Sequence, residues 1–469
     1  MLAVAARDLP QSFPRPGWVE HDPRRIRDDV ISCVREVLDR LKIGPDAVTS
    51  IGITNQRETT IVWDRATGQP IHPAIVWQDR RTADACRALR ETGHEAMVQE
   101  RTGLLLDPYF SATKLGWILD HVDGARASAD RGDLAFGTID TWLLWCLTGG
   151  RTHATDVSNA SRTSLLDIRS QQWDQELLGL FRIPERILAD VRDSSGDFGA
   201  TAAAIFGEPI AIRGVAGDQQ AAMFGQAAFE PGMSKSTFGT GTFALVNTGP
   251  EPVISTNRLL TTIAWRIGGA VTYALEGSIF VSGAAVQWLR DGLGIIERAA
   301  ETEDLARSID DTGGVYLVPA FVGLGAPYWD ADARGALVGL TRDSGRAAIA
   351  RAALEAVAYQ TRELLEAMAA DGAAPPSTLR VDGGLVQNDW AMQFLADLIG
   401  VPVERSTVHE TTALGAASLA GLSSGVFATL DDIAGIRRLD RSWTPGMDPD
   451  RRATLYAGWK RAVRRVLAE

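Results

Sequence analysis

Asn55-Gln56-Arg57-Glu58 sets an amide pair and an adjacent Arg–Glu couple between two apolar runs, one ending at Ile53 and one spanning Thr60–Trp63. Two readings fit these residue types. The couple is a solvated ion pair at an exposed hairpin tip, worth little, or it is a functional group held between two strands. Three glycine turns further along raise the same question. In "IRGVAGDQQAAMFGQA" a strand ends at Gly217-Asp218 and a helix follows from Gln219. Asp218 therefore lies at a strand's C-terminal end, the edge where open α/β sheets bind ligands; the simpler role is a helix N-cap.

The second turn, Gly239-Thr240-Gly241 in "STFGTGTFALV", lies between two strand-like runs and reads as a hairpin. Its backbone amides and hydroxyl could also cradle phosphate oxygens. The third, Asp382-Gly383-Gly384 in "LRVDGGLVQNDWAMQFLADLIG", joins a buried strand to a helix. Paired glycines allow close backbone approach to a ligand, and a helix N-terminus attracts anions; a plain tight connection fits equally well. An acid at the first turn and phosphate-sized cradles at the next two suit phosphoryl transfer. That reaction needs positioning, charge stabilisation and a carboxylate to take a hydroxyl proton.

The elements that must hold these turns alternate between short apolar strands and longer helices, the α/β pattern. Helices are expected at Asp22–Leu41, Arg80–Gln99, Gln219–Ala228, Gly283–Asp291, Gly345–Ala370 and Asp389–Leu398. Strands are expected at Val48–Thr54, Thr60–Trp63, Ile210–Ala216, Met233–Phe238, Phe243–Asn247, Thr272–Leu275 and Thr378–Val381. Pro231-Gly232 suggests a boundary near Phe229, giving domains 1–228 and 229–469. At 469 residues and 45% apolar the chain can build two large cores. A net charge of −12 argues against nucleic-acid or anionic-membrane partners. Cys33, Cys86 and Cys146 form no paired motif and read as reduced residues of a cytoplasmic protein. The six His show no ligand spacing, so no protein-held metal centre is expected. No apolar run reaches the roughly 20 residues of a membrane span.

Taken in order, the turns resemble the two-domain ATPase architecture of actin, hexokinase and the sugar kinases, with nucleotide in an interdomain cleft. The resemblance sharpens over nearly the whole chain. "PGWVEHDP", "IGITNQRETTIVW", "AIVWQDRRT", "DPYFSATK", "TDVSNASRT", "GVAGDQQAAMFGQ", "FGTGTF", "VPAFVGLGAPYWD", "RVDGG" and "TALGAASLAGL" are similar to stretches of the FGGY carbohydrate kinases. "NQRET" and "AGDQQAA" resemble the glycerol kinases among them. The resemblance implies that Arg57 donates to and Glu58 accepts from glycerol hydroxyls, with Tyr109 and Gln219 as further contacts. It implies apolar walls at Trp77 and Phe243, and Asp218 as general base, also facing magnesium. Thr240 and Gly241 would face the terminal phosphates of ATP; Gly283, Gln287, Gly384 and Asn388 would line the adenosine pocket. ATP and Mg2+ are the implied cofactors, domain closure the implied motion, and a dimer or tetramer the implied assembly. Neighbouring residues on a regular strand face opposite sides. If Arg57 and Glu58 both touch one ligand, the backbone must turn irregularly at Asn55–Glu58.

Two departures stand out. The family's N-terminal hairpin with its "DQGTT" phosphate turn has no counterpart after Met1. The intact remainder leads to the expectation that the reading frame begins upstream; a truncated chain would be a non-catalytic glycerol-binding protein. "AIFGEPIAIRG" lacks the Gly-Thr-Arg loop with which some bacterial members bind fructose 1,6-bisphosphate, so no such inhibition is expected. A kinase for another polyol is the close alternative. A dinucleotide oxidoreductase would need a helix directly after Gly-Thr-Gly, where strand-like "FALVNTG" stands.

Overall fold

The computed structural model describes residues 1–330 and 332–467. The chain forms two α/β units, and neither is one continuous stretch. The first comprises Met1–Gly225, Thr261–Tyr273 and Thr412–Ile433; the second comprises Gln226–Leu260, Ala274–Thr411 and Ala434–Glu469. The expected junction at residue 228 lies just past the first crossing, and the chain then returns to the first unit twice.

In the first unit, strand Ile51–Asn55 runs parallel to Ile212–Gly217, with Asn55 opposite Gly217. Both candidate turns, Gln56–Glu58 and the one at Asp218, therefore leave neighbouring strands at the same C-terminal edge. Behind the pair lies helix Thr411–Ser423, which apart from its first residue belongs to this unit. Its small residues allow backbone contact. A Cβ on Gly52 would stand 2.1 Å from the Ala416 carbonyl oxygen, and one on Gly415 1.8 Å from that of Ala221. This accounts physically for the small-residue run "TALGAASLAGL". The core beside it gathers Ile53, Trp63, Trp142, Leu144, Phe198 and Val215, all buried. Helix Ile139–Leu147 is apolar on nearly every side and is buried at every position but Trp145 and Cys146, which are half-buried.

The second unit carries strands Thr242–Gly249, Ser234–Phe238, Leu379–Asp382, Val403–Ser406 and Leu439–Trp443 side by side in that order. Ser234–Phe238 and Leu379–Asp382 are parallel, with Thr237 opposite Asp382. The second and third glycine turns thus also leave neighbouring strands at one shared edge, repeating the arrangement of the first unit. Helix Arg346–Ala370 buries an alanine-rich surface, including Ala350, Ala353 and Val357, in the core that also holds Phe394, Trp443 and Trp459. Among the described residues no helix is long and apolar enough to cross a membrane.

Helix Gly283–Asp291 forms as the sequence predicts, and four of the other expected helices differ only at their ends. The expected single helix Arg80–Gln99 is instead two, Ala83–Glu91 and Glu95–Thr102. Gly93 takes a left-handed φ of +84°, and His94 N–H returns to the Leu89 carbonyl (3.1 Å). Such a glycine stop ends a helix whatever the apolar period beyond it. Strand Leu260–Ile267 has no counterpart in the sequence reading, and Thr272–Leu275 is a fragment of the longer strand Ala270–Ile279. The Gly268-Gly269 turn between them has both φ positive, the geometry of a tight two-residue hairpin.

Candidate active site

The Arg57–Glu58 couple is buried: each side chain is 1% exposed. Regular pairing stops after Asn55, and Glu58 adopts a left-handed φ of 60°. The expected irregular turn is therefore present, with its strain at Glu58. That conformation is held from outside. The Glu58 carbonyl accepts from Ser111 Oγ (3.0 Å) and Thr60 Oγ1 (3.2 Å). Over-determination of this kind lets an L residue persist in a sparsely populated region. Burial excludes the solvated hairpin tip.

The turn brings the two side chains to one place. Arg57 Nε lies 3.2 Å from Asp218 Oδ1 and 3.7 Å from Glu58 Oε1. Its terminal nitrogens donate to Gln220 Oε1 (3.3 Å) and Tyr109 Oη (3.4 Å). Arg162 Nε donates to Glu58 Oε1 at 2.7 Å. Trp77 meets Tyr109 edge to face, with ring centroids 5.6 Å apart. Asp218 is the first residue of helix Asp218–Gly225, and its Oδ1 accepts the adjacent Gln219 N–H (2.8 Å). An N-cap would serve amides two or three residues on, so capping does not describe it. Its side chain is 35% exposed, the most open of this group of charges. Arg57, Glu58, Trp77, Tyr109, Asp218 and Gln219 all belong to the first unit. Phe243 belongs to the second, on strand Thr242–Gly249 opposite Thr237.

The amide pair before the couple is structural. Asn55 and Asn159 exchange side-chain hydrogen bonds (3.0 and 3.1 Å), and Gln56 Nε2 meets His21 Nδ1 (3.1 Å). Gly217 makes room for arginine: a Cβ there would lie 2.7 Å from Arg57 Cγ and Cδ.

In the second unit a cavity of about 500 Å³ is lined by Gly239, Thr240, Gly283, Gln287, Gly384 and Asn388 among others. This is within the range of small-molecule and cofactor sites. It gathers every expected nucleotide residue except Gly241, which follows Thr240 in the same turn. Gly239-Thr240-Gly241 is a hairpin, as its neighbours imply. The amides of Gly283 and Ala284 donate to the Gly239 and Thr240 carbonyls (2.9 and 3.1 Å). Helix Gly283–Asp291 thereby sets the turn's shape with its own N-terminus. Gly383 has φ 97°, and a Cβ on it would come within 2.5 Å of the Phe238 carbonyl oxygen, so only glycine fits between the two strand ends. Gly384 meets nothing within 4 Å and leaves the cavity open. The helix after the glycines starts at Asp389 as expected, and a 3-10 turn, Gly384–Gln387, fills the stretch between them. Asn388 caps that helix through Ala391 N (2.9 Å) and donates to Thr302 Oγ1 (3.2 Å).

Residues 1–225 match the N-terminal domain, and residues 235–424 the C-terminal domain, of the FGGY family of carbohydrate kinases. The two domain matches and the fold define a two-domain carbohydrate kinase. The chain is 60% identical to a glycerol kinase of Rhodospirillum rubrum over 468 residues, covering 100% of this chain and 94% of that one. It is 58% identical to glycerol kinase 1 of Pseudomonas aeruginosa, again covering 100% and 94%. A crystal structure of Plasmodium falciparum glycerol kinase with ADP superposes with a TM-score of 0.92 at 38% identity, over 98% of this chain and 92% of that one. The chain belongs to the FGGY family of carbohydrate kinases.

Sequence reasoning missed Gln220 and Arg162. "SNASRT" and the second Gln of "AGDQQ" carried the signal, but nothing in either says which side chain turns inward.

Proposed function

We propose that this kinase phosphorylates glycerol with ATP, giving sn-glycerol 3-phosphate and ADP. The observation that carries this reading is the buried Arg57–Glu58 couple, turned by one left-handed residue to stand beside Asp218. A small triol needs a donor, an acceptor and apolar cover close together, because a buried hydroxyl left unpaired is costly. Arg57 supplies the donor, Glu58 the acceptor, Trp77 and Tyr109 the cover; Gln219 completes the contacts of the first unit.

Asp218 is the general base in this reading. It takes the proton of the reacting hydroxyl while that oxygen forms its bond to the terminal phosphorus. The bond from that phosphorus to the bridging oxygen breaks, and ADP leaves. The side chain's partial exposure suits a group that must meet two substrates. The glycine-lined cavity of the second unit holds the nucleotide, with Thr240 and Gly241 at the phosphates and Gly283, Gln287, Gly384 and Asn388 around the adenosine. Magnesium fits a donor set of one carboxylate plus nucleotide phosphates. Among the described residues no group of three or more His, Cys, Asp or Glu could hold a metal alone. Asp218 would hold it, and its contribution when bound is to neutralise phosphate charge. Such an enzyme works in the cytoplasm, where ATP is present, as a dimer or tetramer.

ADP release with Mg-ATP, with and without glycerol, tests the reading. Glycerol-dependent turnover is expected, and Asp218→Asn should lower it by about 10²–10⁴-fold while glycerol still binds. Preferential turnover of xylitol, erythritol or xylulose would refute glycerol as substrate.

A further inference from the structure

A site for an uncharged triol stands on an unusual amount of buried charge. Besides Arg57 and Glu58, the side chains of Arg162 and Lys114 are fully buried. Arg162 follows the short helix Val157–Ala160, in the motif "TDVSNASRT". Its guanidinium donates to Glu58 Oε1 at 2.7 Å and lies 5.7 and 5.4 Å from the ring centroids of Tyr109 and Phe110. Its side chain is 0% exposed, as buried as the Glu58 carboxylate it donates to.

The same segment grips the site at two more points. Ser158 Oγ accepts the Gly217 N–H (3.0 Å), next to Asp218. Asn159 pairs with Asn55 at the start of the Arg57–Glu58 turn. The segment is anchored by Asp156, which accepts from the amides of Ser158 and Asn159 and from Ser194 Oγ. Ser158, Asn159 and Arg162 therefore fix the ends of both neighbouring strands and the acceptor carboxylate at once.

We propose that Arg162 is a positioning residue for acceptor recognition, holding Glu58 as an oriented, ionised acceptor for a substrate hydroxyl. This rests on the functional reading above. Arg57 is shared between two carboxylates, lying 3.2 Å from Asp218 and 3.7 Å from Glu58, whereas Arg162 donates to Glu58 at 2.7 Å. The other charges around Glu58 are Asp218, at the neighbouring strand end, and Lys114, on helix Ser111–His121. Lys114 Nζ donates to the Tyr109 carbonyl (2.6 Å), and burial lowers its pKa to about 8 despite the pull of Glu58, Asp79 and Asp107. Without Arg162, burial favours the protonated, donor form of Glu58.

The test is steady-state kinetics of Arg162→Met, Arg162→Lys, Glu58→Gln and the Arg162→Met/Glu58→Gln double variant from pH 6.5 to 9, with thermal melting as a fold control. Turnover of the unsubstituted chain with glycerol judges the functional reading before any variant is made. Arg162→Met should raise KM for glycerol about 30-fold or more, as expected when one partner of a buried charge pair is removed. KM for ATP should stay within about twofold. The defect should shrink as pH rises and Glu58 ionises without its cation. Glu58→Gln should show no such pH trend. The double variant should bind glycerol no more than about threefold worse than Glu58→Gln, because Arg162 acts through Glu58. Arg162→Lys, keeping the charge but not the planar contact, should fall between. A folded Arg162→Met with unchanged KM for glycerol, or defects that simply multiply in the double variant, overturns the proposal. If Arg162→Met does not fold, Arg162→Lys decides: a raised, pH-dependent KM for glycerol alone supports the role, and an unchanged one overturns it. If the unsubstituted chain prefers another polyol, the same comparisons on that polyol judge Arg162 separately. No polyol-dependent turnover at all overturns the functional reading and this role with it.

Discussion

Gly217→Ala puts a single methyl group where the fold has left room for an arginine. The new Cβ would stand 2.7 Å from Arg57 Cγ and Cδ and 2.9 Å from Gln220 Oε1. Ordinary carbon contacts need about 3.5–4.0 Å, so the arginine stem must move by roughly 1 Å. A free surface arginine would swing aside at little cost. This one cannot, because its head is held by Asp218, Glu58, Gln220 and Tyr109. The displacement therefore passes to the guanidinium and the carboxylates it orients. A misplacement of about 1 Å in positioning groups costs on the order of 100-fold. At about 1.36 kcal/mol per decade, that is roughly 2.7 kcal/mol of transition-state stabilisation. The assay is coupled ADP release at varied glycerol and varied ATP, with melting by circular dichroism alongside. The expected result is a kcat/KM for glycerol about 100-fold lower, with KM for ATP and the cooperative melt retained. A folded Gly217→Ala enzyme within about threefold of the parent in kcat/KM for glycerol would refute the claim that Arg57 is held rigidly.

Gly384→Ala asks the opposite question of the second unit. No atom lies within 4 Å of the added Cβ, so melting should be unchanged while the methyl intrudes on the nucleotide cavity; titration of ADP should show weaker binding, and unaltered affinity would count against Gly384 as part of the pocket. Glu363 concerns stability alone. Burial pushes its carboxyl up to about 7 from an ordinary value of 4.5, and Tyr328 Oη donates to it at 2.6 Å. Between those two pH values the folded chain holds a proton that the unfolded chain has lost, so this residue makes stability fall as pH rises from about 4.5 to about 7. Glu363→Gln keeps an acceptor oxygen and cannot ionise. Its melting temperature relative to the parent should climb across that window and level off above it; a constant difference would show that Glu363 does not titrate there.

The glycine turns were the most legible part of the chain, because glycine and strand-ending carboxylates announce their geometry locally. Gly383, Gly384 and Asp218 lie at strand ends as their neighbours imply. What the sequence hides is side-chain direction after an irregular turn. The φ of Glu58 depends on hydroxyls of Thr60 and Ser111, and the latter is 53 residues away in sequence. The partnership of Arg162 with Glu58 spans 104 residues, and no local pattern encodes it. The break at Gly93 was readable from the glycine alone, but the sequence reading ran one helix through it. The strand before Gly268-Gly269 went unseen because "LTTIAWRI" is apolar throughout its middle and lacks strict alternation.

The small-residue helix that presses on Gly52 has a consequence for how the molecule comes into being. The ribosome delivers strands Ile51–Asn55 and Ile212–Gly217 early, yet residues Thr412–Ile433 of the same unit emerge last but for a short C-terminal stretch. At about 5–20 residues per second, the nascent first unit waits roughly 10–40 s for the segment that closes its back. During that interval a surface shaped for backbone-to-backbone packing has no partner. A release after residue 228 would leave that wait without end, so the two halves of this gene are not two separable folding units, however cleanly a boundary can be drawn in the finished protein.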